Sequence, residues 1–129
     1  MEEGQGHPGR EHTRRAERLA DLIRQVLAEL LEREVKDPRI GFATVTEVNL
    51  SGDLRTARVS VSILGDETKK ELSMEGLAAA KRFLRYQVAQ RLNLRFTPEL
   101  EFHLDRSQEY DSRIEELIRR AKQGTGNRE

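Results

Sequence analysis

The chain has 129 residues, no cysteine, and 36% charged residues that sum to a formal net charge of zero. This length suits one domain with its own core, and the missing cysteines exclude disulfides and thiolate metal sites. No apolar run approaches the roughly 20 residues of a membrane helix, and the acidic, Gly-containing start does not read as a signal peptide, so a cytoplasmic protein is expected.

Residues 1–10 are Gly- and Glu-rich without periodicity and are expected to form a disordered arm. Thr13 is placed to cap a first helix. Ala16, Leu19, Ile23, Val26, Leu27, Leu30 and Leu31 then follow helical spacing, with Arg14, Arg15, Arg18, Asp21 and Arg24 on the opposite face. Pro38 lacks an N–H and disfavours helix at the preceding residue, so this helix should stop at or before Asp37. Phe42–Leu50 reads as a strand whose apolar phase slips between Val45 and Val48, as at a bulge. A turn at Ser51-Gly52-Asp53 follows. Ala57, Val59, Val61 and Ile63 alternate with polar residues, which completes an antiparallel hairpin.

Thr68-x-x-Glu71 has the form of a capping box. Leu72, Leu77, Ala80, Leu84, Val88 and Leu92 continue with helical spacing, and Gly76 and Ala78-Ala79-Ala80 would allow a bend or close packing. Leu100, Phe102 and Leu104 alternate with Glu101, His103 and Asp105 as a third strand. Ser112-x-x-Glu115 opens a short C-terminal helix, and residues 123–129 read as a disordered tail. The whole is an α+β two-layer sandwich over 11–122: a three-stranded sheet packed by long helices, with the position of the third strand left open.

Charge is segregated along the chain. Lys69–Arg95 carries seven cations and two anions; Glu99–Glu116 carries seven anions and two cations. A neutral protein patterned in this way can present a strongly positive face. Catalytic chemistry is not legible. His7, His12 and His103 are scattered without metal-ligand spacing, and there is no Gly-rich phosphate loop or nucleophile elbow. The abundant carboxylates read as solvated surface. No catalytic residue, metal site or cofactor is assigned.

Two stretches, "KDPRIGFATVTEVNLSGDLRTARVSVSIL" (Lys36–Leu64) and "RLNLRFTPELEFHLDRSQEYDSRIEELI" (Arg91–Ile118), carry a resemblance. Their DPR-x-G join, S-x-DL-x-x-A-x-V strand entry and L-x-x-R-x-x-P-x-L-x-F-x-x-D-x-S run resemble bacterial ribosome-binding factor A, over roughly Arg14–Arg120. The resemblance implies a KH-like domain of the second type, of order α-β-β-α-(kink)-α-β, in which an Ala-x-Gly helix kink replaces the usual GxxG loop. This chain has Ala80-Lys81-Arg82 at that position, so the glycine is missing and Ala80 marks the expected kink. The resemblance further implies a non-enzymatic assembly factor. Such a factor binds the free small (30S) ribosomal subunit through 16S rRNA and promotes late maturation and rRNA processing, especially at low temperature. It would act as a monomer when free, with other assembly factors as further partners.

The candidate RNA contacts are Arg14, Arg15 and Arg18 on the first helix, Arg39 at the join, and Lys81, Arg82, Arg85, Arg91 and Arg95 on the second helical segment and its exit. Asp37 is expected to bond local backbone. Core packing is expected for Phe42, Phe83, Phe96 and Phe102, which leaves recognition to phosphate and shape. Charge reversal of Lys81 and Arg85 together is expected to abolish binding with the fold intact. Two other readings compete with the assembly factor: a generic single-stranded RNA-binding module, and a protein–protein interaction domain that self-associates through its opposite charges.

Overall fold

A computed structural model describes residues 2–110 and 119–121. The element order is α1 (Glu2–Arg33), β1 (Ala43–Leu50), β2 (Thr56–Ile63), α2 (Glu67–Leu92), β3 (Glu99–Leu104) and a 3₁₀ turn (Ser107–Tyr110). Helix α1 begins upstream of Thr13 and takes in the segment expected as an arm, so Thr13 is an interior residue and not a cap. Extending an existing helix costs far less than starting one, and acidic residues suit a helix N-terminus. The tail at 123–129 and the short helix expected from Ser112 lie outside the described residues.

Ile23, Leu27 and Leu30 form the fully buried stripe of α1. The helix closes at Arg33, and the amides of Glu34 and Val35 both donate to the Leu30 carbonyl. Pro38 then sits at the second position of a turn closed by Ile40 N–H donating to the Asp37 carbonyl at 3.0 Å. Asp37 Oδ1 accepts the Arg39 amide at 2.9 Å, the local backbone bond expected of it. The end of this join rests on α2. Gly41 N–H donates to Ser73 Oγ at 3.0 Å, and Ser73 Oγ donates to the Arg39 carbonyl at 3.3 Å. Gly76 lies directly beneath Ile40: a Cβ there would stand 2.6 Å from Ile40 Cγ1.

Strands β1 and β2 pair antiparallel, with a register shift between Val45 and Glu47. This bulge is the phase slip read from the sequence, and it lets Val45 and Val48 both face the core. Strand β3 joins the other edge of β2 in parallel, with Ala57 opposite Leu100 and Val59 opposite Phe102, giving the order β1-β2-β3. The connection through α2 has the length that a parallel crossover requires. Helix α1 packs over β1, and α2 over β3. Arg58, Glu99 and Glu101 occupy the uncovered face of the sheet.

Helix α2 differs from expectation at both its start and its middle. Asp66 is the N-cap, its carboxylate accepting the Lys69 amide at 2.9 Å, so the Thr68 capping box does not form. Asp is as strong a cap as Thr, and it lies next to the turn at Gly65. The helix then runs unbroken from Glu67 to Leu92, through Ala80. Ala, Lys and Arg are all good helix formers, and Arg82 stands where the family's glycine would free the backbone to divide it. Asn93, at φ 54° and ψ 48°, ends the helix in the left-handed conformation.

The core is wholly aliphatic: Ile23, Leu27, Leu30, Val59, Val61, Leu77, Leu84, Val88 and Leu100 are fully buried. Three of the four phenylalanines assigned to it are elsewhere. Phe42 and Phe96 are 80% and 85% exposed, and Phe83 is 41% exposed. Only Phe102 packs against the core. Phe42 lies one residue outside β1 and Phe96 lies in the loop before β3, where nothing covers a side chain.

Beyond β3, Arg106 forks onto both carboxylate oxygens of Glu67 at 2.7 Å, and Lys70 pairs with Glu109. These bonds tie the 3₁₀ turn to the start of α2. Hydrogen bonds from Arg106 hold Glu67 below its ordinary carboxylate range, and hydrogen bonds from Lys70 do the same for Glu109. A lowered pKa in the folded state means stability that is complete above the unfolded value and is lost as pH falls through the folded one. The urea midpoint is therefore expected to hold steady above about pH 5 and to decline below the usual glutamate pKa near 4.5. Arg106→Gln should shallow that decline. A second expectation concerns Gly76. Gly76→Val should lower unfolding free energy by about 2 kcal/mol in urea titration, because the added methyls displace Ile40.

Candidate nucleic-acid interface

The candidate cations divide into two groups once their partners are known. Arg85 is turned inward toward the end of the α2–β3 connection. Its guanidinium donates to the carbonyls of Thr97 at 2.7 Å and Pro98 at 3.2 Å, and stands 3.3 Å from Glu99. Arg91 reaches back to the end of α1, where it pairs with Glu29 and Glu34. Arg39 forks onto Asp37, with Nη2 to Oδ2 at 2.7 Å and Nε to Oδ1 at 3.1 Å. The side-chain and backbone hydrogen bonds from Arg39 hold the Asp37 carboxyl below its usual range. These three arginines are already engaged within the chain.

Arg14, Arg15, Arg18, Lys81, Arg82 and Arg95 make no ion pair among the described residues. They do not form one patch. Arg14, Arg15 and Arg18 are exposed on the N-terminal half of α1. At 1.5 Å per residue, Arg18 stands about 24 Å along the axis direction from Glu34. Arg82 is exposed on the outer side of α2, and Lys81, one turn from both Leu77 and Leu84, is half-buried beside that stripe. Arg95 is exposed in the loop before β3.

One cation near α2 was missed in the sequence. Lys36 is exposed at the join and makes no ion pair among the described residues. Its place beside Asp37-Pro38-Arg39, in a loop, was the available signal. Phe83, expected in the core, and Tyr86 are 41% and 60% exposed on the outer face of the helix. Spacings of three and four residues put Phe83, Arg82 and Tyr86 on neighbouring surface.

An open depression lies between α2 and the join, lined by Glu34, Val35, Lys36, Asp37, Pro38, Ala80 and Phe83. Both of its carboxylates are neutralised in place, Glu34 by Arg91 and Asp37 by Arg39. What remains uncompensated there is positive. A second groove, between α1 and β1, is lined by Glu17, Asp21 and Glu47 among others, and its Arg24 is held by Asp21 at 2.8 Å. That surface repels phosphate. Among the described residues no group of three or more His, Asp and Glu side chains is arranged to hold a metal ion, and no helix is long and apolar enough to cross a membrane.

The model of the ribosome-binding factor A family matches residues 15–118. The chain belongs to this family. Similar solved structures agree. The crystal structure of ribosome-binding factor A from Thermus thermophilus is 31% identical with a TM-score of 0.62, covering 69% of this chain and 94% of that one. The solution structure of a ribosome-binding factor A protein from Thermotoga maritima is 38% identical with a TM-score of 0.61, covering 66% and 81%. A homology model of the Thermus thermophilus factor, fitted into a cryo-electron microscopy map of its complex with the 30S subunit, is 33% identical with a TM-score of 0.57, covering 66% and 89%. The family is one of ribosome-binding factors and not of enzymes.

The engaged state of Arg85 changes what a mutation there would report. Arg85→Glu is expected to lower stability by about 1–2 kcal/mol in urea unfolding, through two lost charge-assisted bonds and repulsion from Glu99. Lys81→Glu with Arg82→Glu is expected to leave the midpoint within about 0.5 kcal/mol. The second pair is therefore the clean probe of binding.

Proposed function

We propose that this chain is a small-subunit assembly factor, and that it binds the free 30S subunit through 16S rRNA by the α2 face carrying Lys81 and Arg82. The observation that carries this reading is the sorting of cations on a chain of this family. Beside α2 the carboxylates of the join, Asp37 and Glu34, are paired internally, while Lys36, Arg82 and the half-buried Lys81 make no ion pair among the described residues. The fitted Thermus thermophilus complex supports the choice of subunit. Arg14, Arg15, Arg18 and Arg95 are a second, separate set of contacts in this proposal. Arg39, Arg85 and Arg91 contribute by holding the join, the α2–β3 loop and the end of α1 in place; any phosphate contact they make must compete with their present partners.

The proposed biological role is late maturation of the subunit, including rRNA processing and weighted toward low temperature, by a cytoplasmic protein that is monomeric when free and works beside other assembly factors. We read the domain as KH-like of the second type, with an uninterrupted helix where the family's kink is expected. A single-stranded RNA-binding module of the general kind is less well supported, since it needs a clamp or a continuous stacking platform.

Co-sedimentation with purified 30S subunits, 50S subunits and intact ribosomes over a salt series tests the proposal. Selective binding to free 30S subunits is expected, weakening steeply with salt as counterions are released. Lys81→Glu with Arg82→Glu should remove most of that binding and flatten the logarithmic salt slope by about 1 per cation lost. Equal binding to all three particles, or unchanged binding by the double variant, would overturn the assignment.

A further inference from the structure

The depression beside α2 has a composition unlike that of a surface built for phosphate alone. Its floor and walls are apolar: Val35, Pro38, Ala80 and the ring of Phe83. Phe83 is 41% exposed although the aliphatic core is complete without it. One cation, Lys36 on the join, lines it and makes no ion pair among the described residues. The acidic lining groups are silenced by Arg91 and Arg39. An aromatic ring beside a concave apolar surface, with an unpaired lysine at its edge, suits a group that is flat, apolar on its faces and attached to an anionic backbone. That group is a nucleobase drawn out of its stack.

We infer that this depression is a single-base pocket, in which one unpaired base of the bound RNA stacks on Phe83 against Pro38 and Val35 while Lys36 holds a flanking phosphate. The inference rests on the RNA-binding reading of this face and adds a ligand class to it: single-stranded or bulged nucleotides over continuous duplex. Tyr86, 60% exposed one turn further along α2, offers a second ring to a neighbouring base. The pocket is built by the join. Asp37 fixes Arg39, Ser73 holds Gly41, and Pro38 is thereby kept facing the helix.

The test uses the full chain and two RNA probes of equal charge: a hairpin with an adenosine-rich loop, and a fully paired duplex of the same number of phosphates. NMR titration with the hairpin is expected to move the Phe83 ring protons upfield, as stacking under a base requires, and the duplex should leave them in place. Phe83→Leu keeps apolar bulk at a part-exposed site and should preserve the unfolding midpoint. It is expected to weaken hairpin binding by about tenfold, the loss of one base–aromatic stack, with duplex binding unchanged. Lys36→Ala should weaken both probes. If Phe83→Leu binds the hairpin as wild type does while Lys81→Glu with Arg82→Glu loses both probes, the base pocket is overturned and the RNA-binding face stands. If none of these variants alters binding to either probe or to 30S subunits, the RNA-binding reading of the face falls with it. A Phe83 shift produced by an apolar peptide and not by the hairpin would overturn the pocket in favour of a protein contact.

Discussion

The seating of the α1–β1 join on helix α2 is the constraint from which the rest of the architecture follows. Two small residues make it possible. Gly76 removes the Cβ that would collide with Ile40, and Ser73 is short enough to be fully buried while bonding backbone on both sides of Ile40. A buried hydroxyl without partners would be costly, and this one both accepts and donates. Because the join is fixed at that point, α1 leaves the helix layer toward β1 at a set angle, and its last turn comes within reach of Arg91. The same contact shapes the depression between Pro38 and Phe83. Asp37-Pro38-Arg39 thus terminates a helix, closes a turn and forms one wall of the candidate site.

Charge segregation along the sequence is partly cancelled within the fold. The cations of α2 meet the anions of the following segment at Arg85–Glu99 and Lys70–Glu109, and Arg106 returns the exchange to Glu67. Such pairs contribute little stability where they are exposed, but they decide which charges remain available. Among the described residues of the acidic segment, Glu99 and Glu109 are neutralised within the chain and are to that extent withdrawn from contact with a second copy. The cations that stay unpaired include Lys36 at the join, Arg82 on α2 and Arg14, Arg15 and Arg18 on the far half of α1. A net charge of zero is therefore compatible with a surface that attracts phosphate locally, provided the pairing is as uneven as it is here.

Much of the fold was legible because it rests on local rules. The period of 3.6 in α1, the period of 2 in β2, the helix stop before Pro38 and the slip at Val45–Val48 each reflect a short stretch of backbone, and each appears where the sequence placed it. The parallel placement of β3 was not legible, since a strand's neighbour is chosen by long-range packing. The competition between Asp66 and Thr68 as caps was decided by the geometry of the preceding turn, which composition does not encode. The site was legible only as residue types. Nothing in the pattern distinguishes Lys81, which is unpaired, from Arg85, four residues on, because the carbonyls of Thr97 and Pro98 that capture Arg85 come from another part of the chain.

The phenylalanines show most clearly where composition misleads. Burying a phenylalanine side chain is worth about 1.5–3 kcal/mol, so assigning each one to the core is the sound default. The buried apolar residues here are all aliphatic, Phe102 packs against them, and Phe42, Phe83 and Phe96 are left outside. A lone exposed ring such as Phe96 needs no explanation. Phe83 differs because its surroundings are organised: the small Ala80 lies one turn before it on α2, the join faces it, and Lys36 stands at the space between. The missing glycine bears on this arrangement. An unbroken helix through Ala80-Lys81-Arg82 holds Lys81, Arg82 and Phe83 at fixed angles of about 100° per residue around one axis, and so keeps cation and ring in a constant relation that a hinge at that point would loosen.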